Sequence, residues 1–240
     1  MKNQKYEHIV YGASVNGVVK SLSLMNEGKS VLLLNKFGFT GGAITESLRL
    51  ISKKEEFFKS DNSIKSQIYK QILDENYSIL AETTSEFIIN PEVVKMVLLK
   101  FIENSNLEHL FHIVPISIKN NTIELIAKEG LISFEFDHFH DLSNEKVLSH
   151  LLTDENRIVK RYYNIIVTKP KNKSFLQFNK IIRDIELKDG RYFLSLGINK
   201  ENEIEANHHA QIIADELSEY LDKSGNRIQL LPARIDEVII

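Results

Sequence analysis

The chain has 240 residues, of which 42% are hydrophobic and 26% are charged, and its formal net charge at pH 7 is −3. These proportions are typical of a globular protein with a substantial core, and the slightly acidic balance gives no sign of a nucleic-acid-binding surface. There are no cysteines, which excludes disulfides, thiolate metal sites, iron–sulfur clusters and a flavin attached through cysteine.

The N-terminal stretch MKNQKYEHIVYG lacks the long apolar core of a signal peptide. No later stretch approaches the roughly 18 consecutive apolar residues of a membrane-spanning helix. We therefore expect a cytoplasmic protein with no membrane partner. The basic run KPKNK at 169–173 is typical of a solvated loop between strands, so no nucleic-acid partner is expected either.

The first 34 residues predict a strand–helix–strand unit. Residues 7–11 form a short apolar run that ends at Gly12, as expected of a buried parallel strand. Residues 15–26 carry apolar side chains at helical spacing, and 30–34 are the next buried strand. Six of the ten glycines lie within the first 42 residues, which indicates that the backbone there approaches something closely.

The middle of the chain predicts two helices and a three-stranded meander. One helix spans 63–80. The second is capped by Asn90 and takes Pro91 into its first turn. Three strands follow, separated by the turns KNN and KEG, and this spacing favours an antiparallel meander; the strands are at 110–118, 122–127 and 131–136.

The remaining sequence predicts a smaller region that mixes strands and a helix. Strands are expected at 157–168 and 175–187, and an Asp189-Gly190 turn joins the second of these to another strand at 191–196. A helix and two short tail strands follow. The helix, at 207–221, is expected to bury Ile212, Ile213, Leu217, Tyr220 and Leu221. A domain boundary is placed near 142–157.

The turn after the first strand, GASVNG, has the spacing of a dinucleotide-binding loop. In a G-x-G-x-x-G loop the first glycine permits the turn, the second admits the pyrophosphate and the third lets helix pack against strand. The helix N-terminus then offers N–H groups to phosphate. Gly12 and Gly17 hold the first and third places, and Ser14 holds the second. A serine is small enough to fit there, and its hydroxyl can donate to phosphate.

Residues 6–48, which include GFTGGAITES at 38–47, and residues 87–126 resemble FAD-dependent oxidoreductases of the glutathione-reductase-like, two-dinucleotide-binding-domain fold. The resemblance implies an α/β protein with a Rossmann-like FAD-binding fold: a parallel sheet, helices on both faces and an antiparallel meander. We place this FAD-binding region at 1–142 and a smaller α+β region, for substrate or partner, at 143–240.

The resemblance also implies FAD as cofactor. The ADP moiety would bind at the first turn, and a second glycine-rich loop would lie along the pyrophosphate or flavin. The implied cofactor-binding residues are Gly12, Ser14, Asn16, Gly17, Asn35, Lys36, Gly41, Gly42 and Ala43.

Three departures from the family pattern weaken this site. Asn35 stands where the family has a glutamate that binds the ribose hydroxyls, and an amide is not a charge-assisted bidentate acceptor. Pro115 falls where family backbone meets the adenine edge, and proline has no N–H. Residues 134–143 contain no glycine, although the family has a glycine-containing turn there.

Two functions from different classes therefore stay open. One is an FAD-dependent oxidoreductase; the other is a catalytically inactive flavoprotein-like scaffold, an accessory subunit that binds a protein partner or a second copy. A hydrolase is excluded because Gly-x-Ser-x-Gly is absent. An NAD-dependent dehydrogenase is disfavoured because residue 35 is not acidic, and Lys36 alone is thin support for a 2′-phosphate. The sequence identifies neither a substrate nor a catalytic residue.

His138 and His140 have a metal-like spacing, since alternate residues of a strand share a face. No clear third ligand accompanies them. We therefore interpret them as polar residues on the wet face of a strand end and predict no metal site. The remaining histidines considered are interpreted as structural or surface residues: His109, His112, His208 and His209.

Overall fold

A computed structural model of the chain describes residues 4–58, 63–143, 159–169, 173–200, 202–223 and 225–239. The chain divides into two compact units that alternate along the sequence. The first unit comprises 1–42, 55–78 and 92–156, and the second comprises 43–54, 79–91 and 157–240.

The stretch in which the sequence places a domain boundary, 142–157, lies mostly outside the described residues. The division into 1–142 and 143–240 stays a prediction. The compact units follow a different division, because 43–54 and 79–91 group with the C-terminal residues.

The strands and helices follow in chain order. They are β1 (Gln4–Tyr11), α1 (Val15–Asn26), β2 (Val31–Leu34), α2 (Ala43–Glu46), β3 (Ile51–Lys53), α3 (Lys54–Phe57), α4 (Ile64–Asp74), β4 (Ile79–Glu82), β5 (Glu86–Ile89), α5 (Pro91–Glu103), β6 (Glu108–Leu110), β7 (Val114–Lys119), β8 (Thr122–Ala127), β9 (Gly130–Asp141), β10 (Val159–Val167), a 3-10 helix (Ser174–Gln177), β11 (Ile181–Glu186), β12 (Tyr192–Ile198), α6 (Glu203–Asp222), β13 (Ile228–Leu230) and β14 (Asp236–Ile239).

The first unit is built on a six-stranded sheet in the order β6-β2-β1-β9-β8-β7. The strands β6, β2, β1 and β9 are parallel, and β9, β8 and β7 form the predicted antiparallel meander. Because β1 and β2 are parallel neighbours, α1 must cross over between them, and it packs on both. The predicted strand–helix–strand opening is confirmed. All of β2 is buried, and β1 is buried from His8 to its end, as expected for central strands of a parallel sheet.

Three sequence predictions in this half have wrong boundaries. The helix predicted at 63–80 ends at Asp74, and Ile79 already begins β4. The strand predicted at 110–118 is two strands, β6 and β7, separated at 111–113. His112 has a φ of 58° there, and a left-handed residue cannot continue a strand. The strand predicted at 131–136 continues to Asp141 because it pairs with β1 as well as with β8.

The second unit contains a three-stranded sheet, β3-β5-β4, and a five-stranded sheet in which β10 pairs with β12, β13 and β14. One face of β10 and β12 packs on α6 through buried residues such as Ile165, Leu194 and Leu217. The opposite face packs on residues from 48–50 and from β4 and β5, including Leu50 and Ile88. The five-stranded sheet is therefore covered on both faces within this unit.

The Asp189-Gly190 turn between β11 and β12 is confirmed, with Gly190 at a φ of 84°. Two predictions for this unit are wrong in detail. Residues 174–177 form a 3-10 helix rather than the start of a strand. Ile212 is 41% exposed although it was expected inside, because the neighbouring Ile213 takes the inward position on α6.

Two adjacent leucines of α5 test this packing. Leu98 is fully buried and Leu99 is 39% exposed, so Leu98→Ala leaves a cavity and should lower the free energy of unfolding by about 3 kcal/mol. Leu99→Ala is the matched control and should cost less than about 1 kcal/mol. Urea unfolding measures both, and equal losses at the two positions would contradict the burial of α5.

Candidate functional site

The first turn, between β1 and α1, has no room for side chains at its two glycines. Gly12 has a φ of +103°, and a Cβ on it would lie 2.5 Å from the backbone nitrogen of Ser143. A Cβ on Gly17 would lie 1.8 Å from the carbonyl oxygen of Gly12. Both distances are far inside van der Waals contact, so only glycine fits at either position. The close backbone approach that the glycines indicated is thus a contact between segments of the protein: Gly12 lies against Ser143 and Gly17 lies against Gly12.

Ser14 is the N-cap of α1. Its Oγ accepts a hydrogen bond from the N–H of Gly17 at 3.2 Å and donates to the carbonyl oxygen of Leu142 at 3.1 Å. The hydroxyl proton that was expected to serve a phosphate is therefore engaged by the protein, and the residue acts as a helix cap. The N–H groups of Val15 and Asn16, the first two of α1, donate to no acceptor in the described part of the chain.

The second glycine-rich loop lies against the first turn. The N–H of Gly41 donates to the carbonyl oxygen of Ala13 at 2.8 Å. Gly42 has a φ of +57°, and a Cβ on it would lie 2.6 Å from the Cβ of Ser14. Gly41 and Gly42 are thus brought together with Gly12 and Ser14. Ala43 begins α2, in the second unit.

Asn35 is 2% exposed and its amide is occupied inside the protein. The Oδ1 atom accepts from the N–H of Ala13 at 2.9 Å, and Nδ2 donates to the carbonyl oxygens of Phe37 at 3.0 Å and Phe39 at 2.8 Å. Both amide protons are therefore used. Asn35 fastens the 37–39 loop to the first turn and has no donor left for a ribose. Lys36 is exposed, with Nζ 5.7 Å from the ring centroid of Phe37.

The glycine-free stretch 134–143 is the end of β9 and its exit. The N–H of Leu142 donates to the carbonyl oxygen of Tyr11 at 2.8 Å, which brings residues 142–143 onto Gly12. Ser143 is held there by its Oγ, which donates to Oδ1 of Asp141 at 2.6 Å. No local sequence feature predicts that Leu142 and Ser143 reach the first turn, because their position depends on the parallel pairing of β9 with β1. Pro115 is buried in β7, opposite Leu125.

The geometry of the first turn suits the diphosphate of a dinucleotide better than its ribose. The glycines and the N-terminus of α1, with the N–H groups of Val15 and Asn16, form a cradle suited to a diphosphate. The residue expected to bind the ribose does not fit that role, because the amide of Asn35 is buried and engaged.

Three histidines meet on the face shared by β1 and β9. The rings of His8 and His138 stack with centroids 4.9 Å apart, and Nδ1 of His8 lies 3.0 Å from Nε2 of His140. His8 supplies the third histidine that the sequence did not reveal; it faces His138 in the β1–β9 register. Nevertheless, no group of three or more histidines and carboxylates in the described residues is arranged to hold a metal ion.

Parallel strands, a glycine turn and a meander define the first unit as a Rossmann-like α/β protein. A family model described as FAD dependent oxidoreductase matches residues 7–144, more than half of the chain. The chain belongs to this family of FAD-dependent oxidoreductases, and the predicted family and its α/β fold are confirmed. The family supports FAD as the cofactor. A search of curated protein sequences finds no match to the chain.

Solved structures give the same fold over nearly the whole chain. The p-nitrophenol 4-monooxygenase from Pseudomonas putida is 14% identical with a TM-score of 0.62, and the match covers 98% of this chain and 69% of that one. A geranylgeranyl bacteriochlorophyll reductase-like protein from Thermoplasma acidophilum is 8% identical with a TM-score of 0.64, over 98% and 66%. A complex of aklavinone-11 hydroxylase with FAD and aklavinone is 9% identical with a TM-score of 0.53, over 100% and 54%.

The chain spans between about half and two thirds of the length of these structures. No described helix combines the length and apolar character needed to cross a bilayer.

The three hydrogen bonds of the Asn35 side chain can be tested by replacing its amide with a carboxylate. Asn35→Asp removes both donors to the 37–39 loop and buries a carboxylate, so it should lower the free energy of unfolding by about 3 kcal/mol. The exposed Asn104→Asp makes the same change of charge and should change stability by less than about 0.5 kcal/mol. Chemical denaturation of both variants measures the difference. An unchanged free energy of unfolding in Asn35→Asp would contradict the stabilising role of the Asn35 hydrogen bonds.

The histidine cluster predicts a pH dependence of stability. Burial, followed by the charge of His138, lowers the pKa of His8 below 6.5, and burial, followed by Lys20 and then His8, lowers the pKa of His140. Glu7 opposes the shift at His8, whereas Lys20 and Lys29 add to it. Because the unfolded chain binds these protons more tightly, the free energy of unfolding should fall as the pH drops through 6.5. It should level off below the folded pKa values.

His8→Gln should flatten the part of this profile that lies below pH 6.5. The exposed His208→Gln is the control and should leave the slope unchanged. Thermal or urea unfolding across the pH range measures the slope, and an unaltered profile in His8→Gln would rule out the cluster as its source.

Proposed function

We propose that the chain is an FAD-dependent oxidoreductase that binds the diphosphate of FAD at the first turn. One observation carries the proposal: at the N-terminus of α1, beside backbone that only glycine can form, the N–H groups of Val15 and Asn16 donate to no acceptor in the described residues. Unpaired N–H groups and the positive end of the helix dipole together favour a phosphate.

The residues of this turn would hold the cofactor in place. Val15 and Asn16 would donate to phosphate oxygens, while Gly12, Gly17 and Gly42 let the backbone come close enough for them to do so. Ser14 keeps the helix start fixed through its cap. When bound, FAD would supply the redox chemistry and the protein would supply binding and orientation. No side chain of the chain is assigned as acid or base.

Asn35 favours a second candidate, the catalytically inactive flavoprotein-like scaffold. A ribose would gain no donor from this amide, which costs affinity for the adenosine half of FAD. A scaffold of this kind would act as an accessory subunit for a protein partner or a second copy of the chain. For either form we propose a cytoplasmic location.

Flavin content and turnover distinguish these two functions. The purified chain should be titrated with FAD, with ADP and with riboflavin, and its absorbance spectrum recorded after dialysis. The proposal expects FAD and ADP to bind and riboflavin, which has no phosphate, to bind at least about tenfold more weakly. If FAD binds and can be reduced by a donor substrate, the enzyme is supported; bound FAD without turnover supports the scaffold. No binding of FAD or ADP overturns the diphosphate site.

Asn16→Asp gives a sharper test because the residue is exposed and lies in the first turn of α1. A carboxylate there should repel the diphosphate and weaken FAD and ADP binding about tenfold, while the helix dipole stabilises the fold by about 0.3–1 kcal/mol. Affinity and stability should thus move in opposite directions. Asn106→Asp, exposed after α5, carries the same charge change and should alter neither. Unchanged ADP affinity in Asn16→Asp would place the diphosphate elsewhere.

A further inference from the structure

The second unit contains a cavity of about 330 Å³ on the face of the five-stranded sheet that is turned away from α6. Its walls are largely apolar, formed by Ile51, Ile182, Phe193 and Val238. A dry apolar cavity of about 150 Å³ holds a benzene molecule. The present cavity therefore has the volume for a ring or a short alkyl chain together with a polar group, and it lies within the size range of small-molecule sites.

The polar residues that line this cavity are unequal in charge. Arg49 and Arg183 contribute two guanidinium groups, and Asp236 contributes the one carboxylate. That carboxylate is 4% exposed and is already bound by Arg49, at 2.7 Å from Nη2, and by the hydroxyl of Ser47, at 2.9 Å. Among the residues of the lining there are thus two guanidinium groups and one carboxylate, and that carboxylate is already bound; Glu86, which pairs with Arg183, lies outside the lining.

Two further polar side chains of the lining, Ser195 and Asn164, are hydrogen-bonded to each other. The Oγ of Ser195 donates to Oδ1 of Asn164 at 2.7 Å, and Nδ2 of Asn164 donates to the carbonyl oxygen of Ser47 at 3.0 Å. The same Nδ2 lies 3.4 Å from Oδ2 of Asp236. This buried chain of hydrogen bonds fixes Asp236 and through it Arg49, so that one wall of the cavity is rigid before any ligand binds.

Several hydrogen-bond donors of the lining have no acceptor within the described residues. Nε of Arg49 donates to Asp236, and Nη2 donates to Asp236 and to the carbonyl oxygen of Glu237. Nη1 has no acceptor among the described residues. Of the Arg183 nitrogens, only Nη2 donates a hydrogen bond within the described residues, to Oε2 of Glu86 at 2.7 Å. The hydroxyl of Tyr162 forms no hydrogen bond within the described part of the chain. A ligand that supplies acceptors and negative charge complements this lining, whereas a cation or a pure donor does not.

We propose that this cavity binds small organic carboxylates, with the carboxylate on Arg183 and Arg49 and the apolar body between Ile51, Ile182 and Phe193. The site goes beyond the proposed flavin function and does not depend on it, because every residue invoked belongs to the second unit. The C-terminal region, expected from the sequence to bind a substrate or a partner, would thus bind small carboxylates.

The test is isothermal titration of the full chain with benzoate and 3-phenylpropionate, and with their neutral isosteres benzamide and 3-phenylpropanamide. The acids should bind at least about tenfold more tightly than the amides, because a charge-assisted bidentate contact is lost. Equal binding of acids and amides, or no binding of any of the four, overturns the proposal. ADP titration of the same samples reports on the first turn, so that failure of one site is distinguishable from failure of the other.

Arg183→Gln should weaken benzoate binding about tenfold, since it removes a charge and a donor fork. Arg191→Gln is the matched control: Arg191 is also ion-paired in this unit, to Asp189, but lies outside the cavity lining. Ile182 is 57% exposed, so Ile182→Glu offers a second variant that spares the core. Its carboxylate should weaken benzoate binding about tenfold relative to Ile182→Gln. Retained affinity in both Arg183→Gln and Ile182→Glu would place the bound acid outside this cavity.

Discussion

At the end of β1, several stretches of backbone lie closer together than side chains would allow. The exit of β9 crosses Gly12, the carbonyl of Gly12 touches Gly17, and Gly42 rests on Ser14. Each contact holds only while the Cβ atom is missing, so close backbone contacts position the start of α1 together with the Ser14 cap. The remaining features of the first unit depend on this constraint, since β1 pairs with both β2 and β9, and β9 is the strand shared by the parallel strands and the meander.

Asn35 extends the same constraint to the loop that follows β2. A buried amide can both accept and donate, and here it does both, joining Ala13 to Phe37 and Phe39. A carboxylate in this place could accept from Ala13 but could not donate to the two carbonyls. Asparagine at this position therefore connects the 37–39 loop to the first turn, which the acidic residue implied by the family resemblance could not do.

The sequence predicted local features well and long-range ones poorly. The bounds of α1 and of β8 follow from periodicity and capping alone, and the glycine spacing identified the crowded turn. The contact of Ser143 with Gly12, and that of His8 with His138, need the register of β9 on β1, which nothing local to either strand determines. The Ser47–Asp236 contact likewise spans 189 residues. Such pairs are fixed by tertiary packing, and single-sequence patterns do not contain them.

The two units satisfy their buried polar groups in different ways. In the first unit, the N–H groups of Val15 and Asn16 at the start of α1 have no acceptor among the described residues. In the second, side chains meet each other: Ser195, Asn164, Asp236 and Arg49 form one connected chain across β12, β10 and β14. Among the described residues there, Nη1 of Arg49 and the hydroxyl of Tyr162 have no hydrogen-bond partner. Both units therefore offer unused donors, which favour ligands that carry negative charge. A diphosphate suits the first because two N–H groups at a helix end follow its oxygens, and a carboxylate beside an apolar body suits the second because the walls around its donors are aliphatic and aromatic.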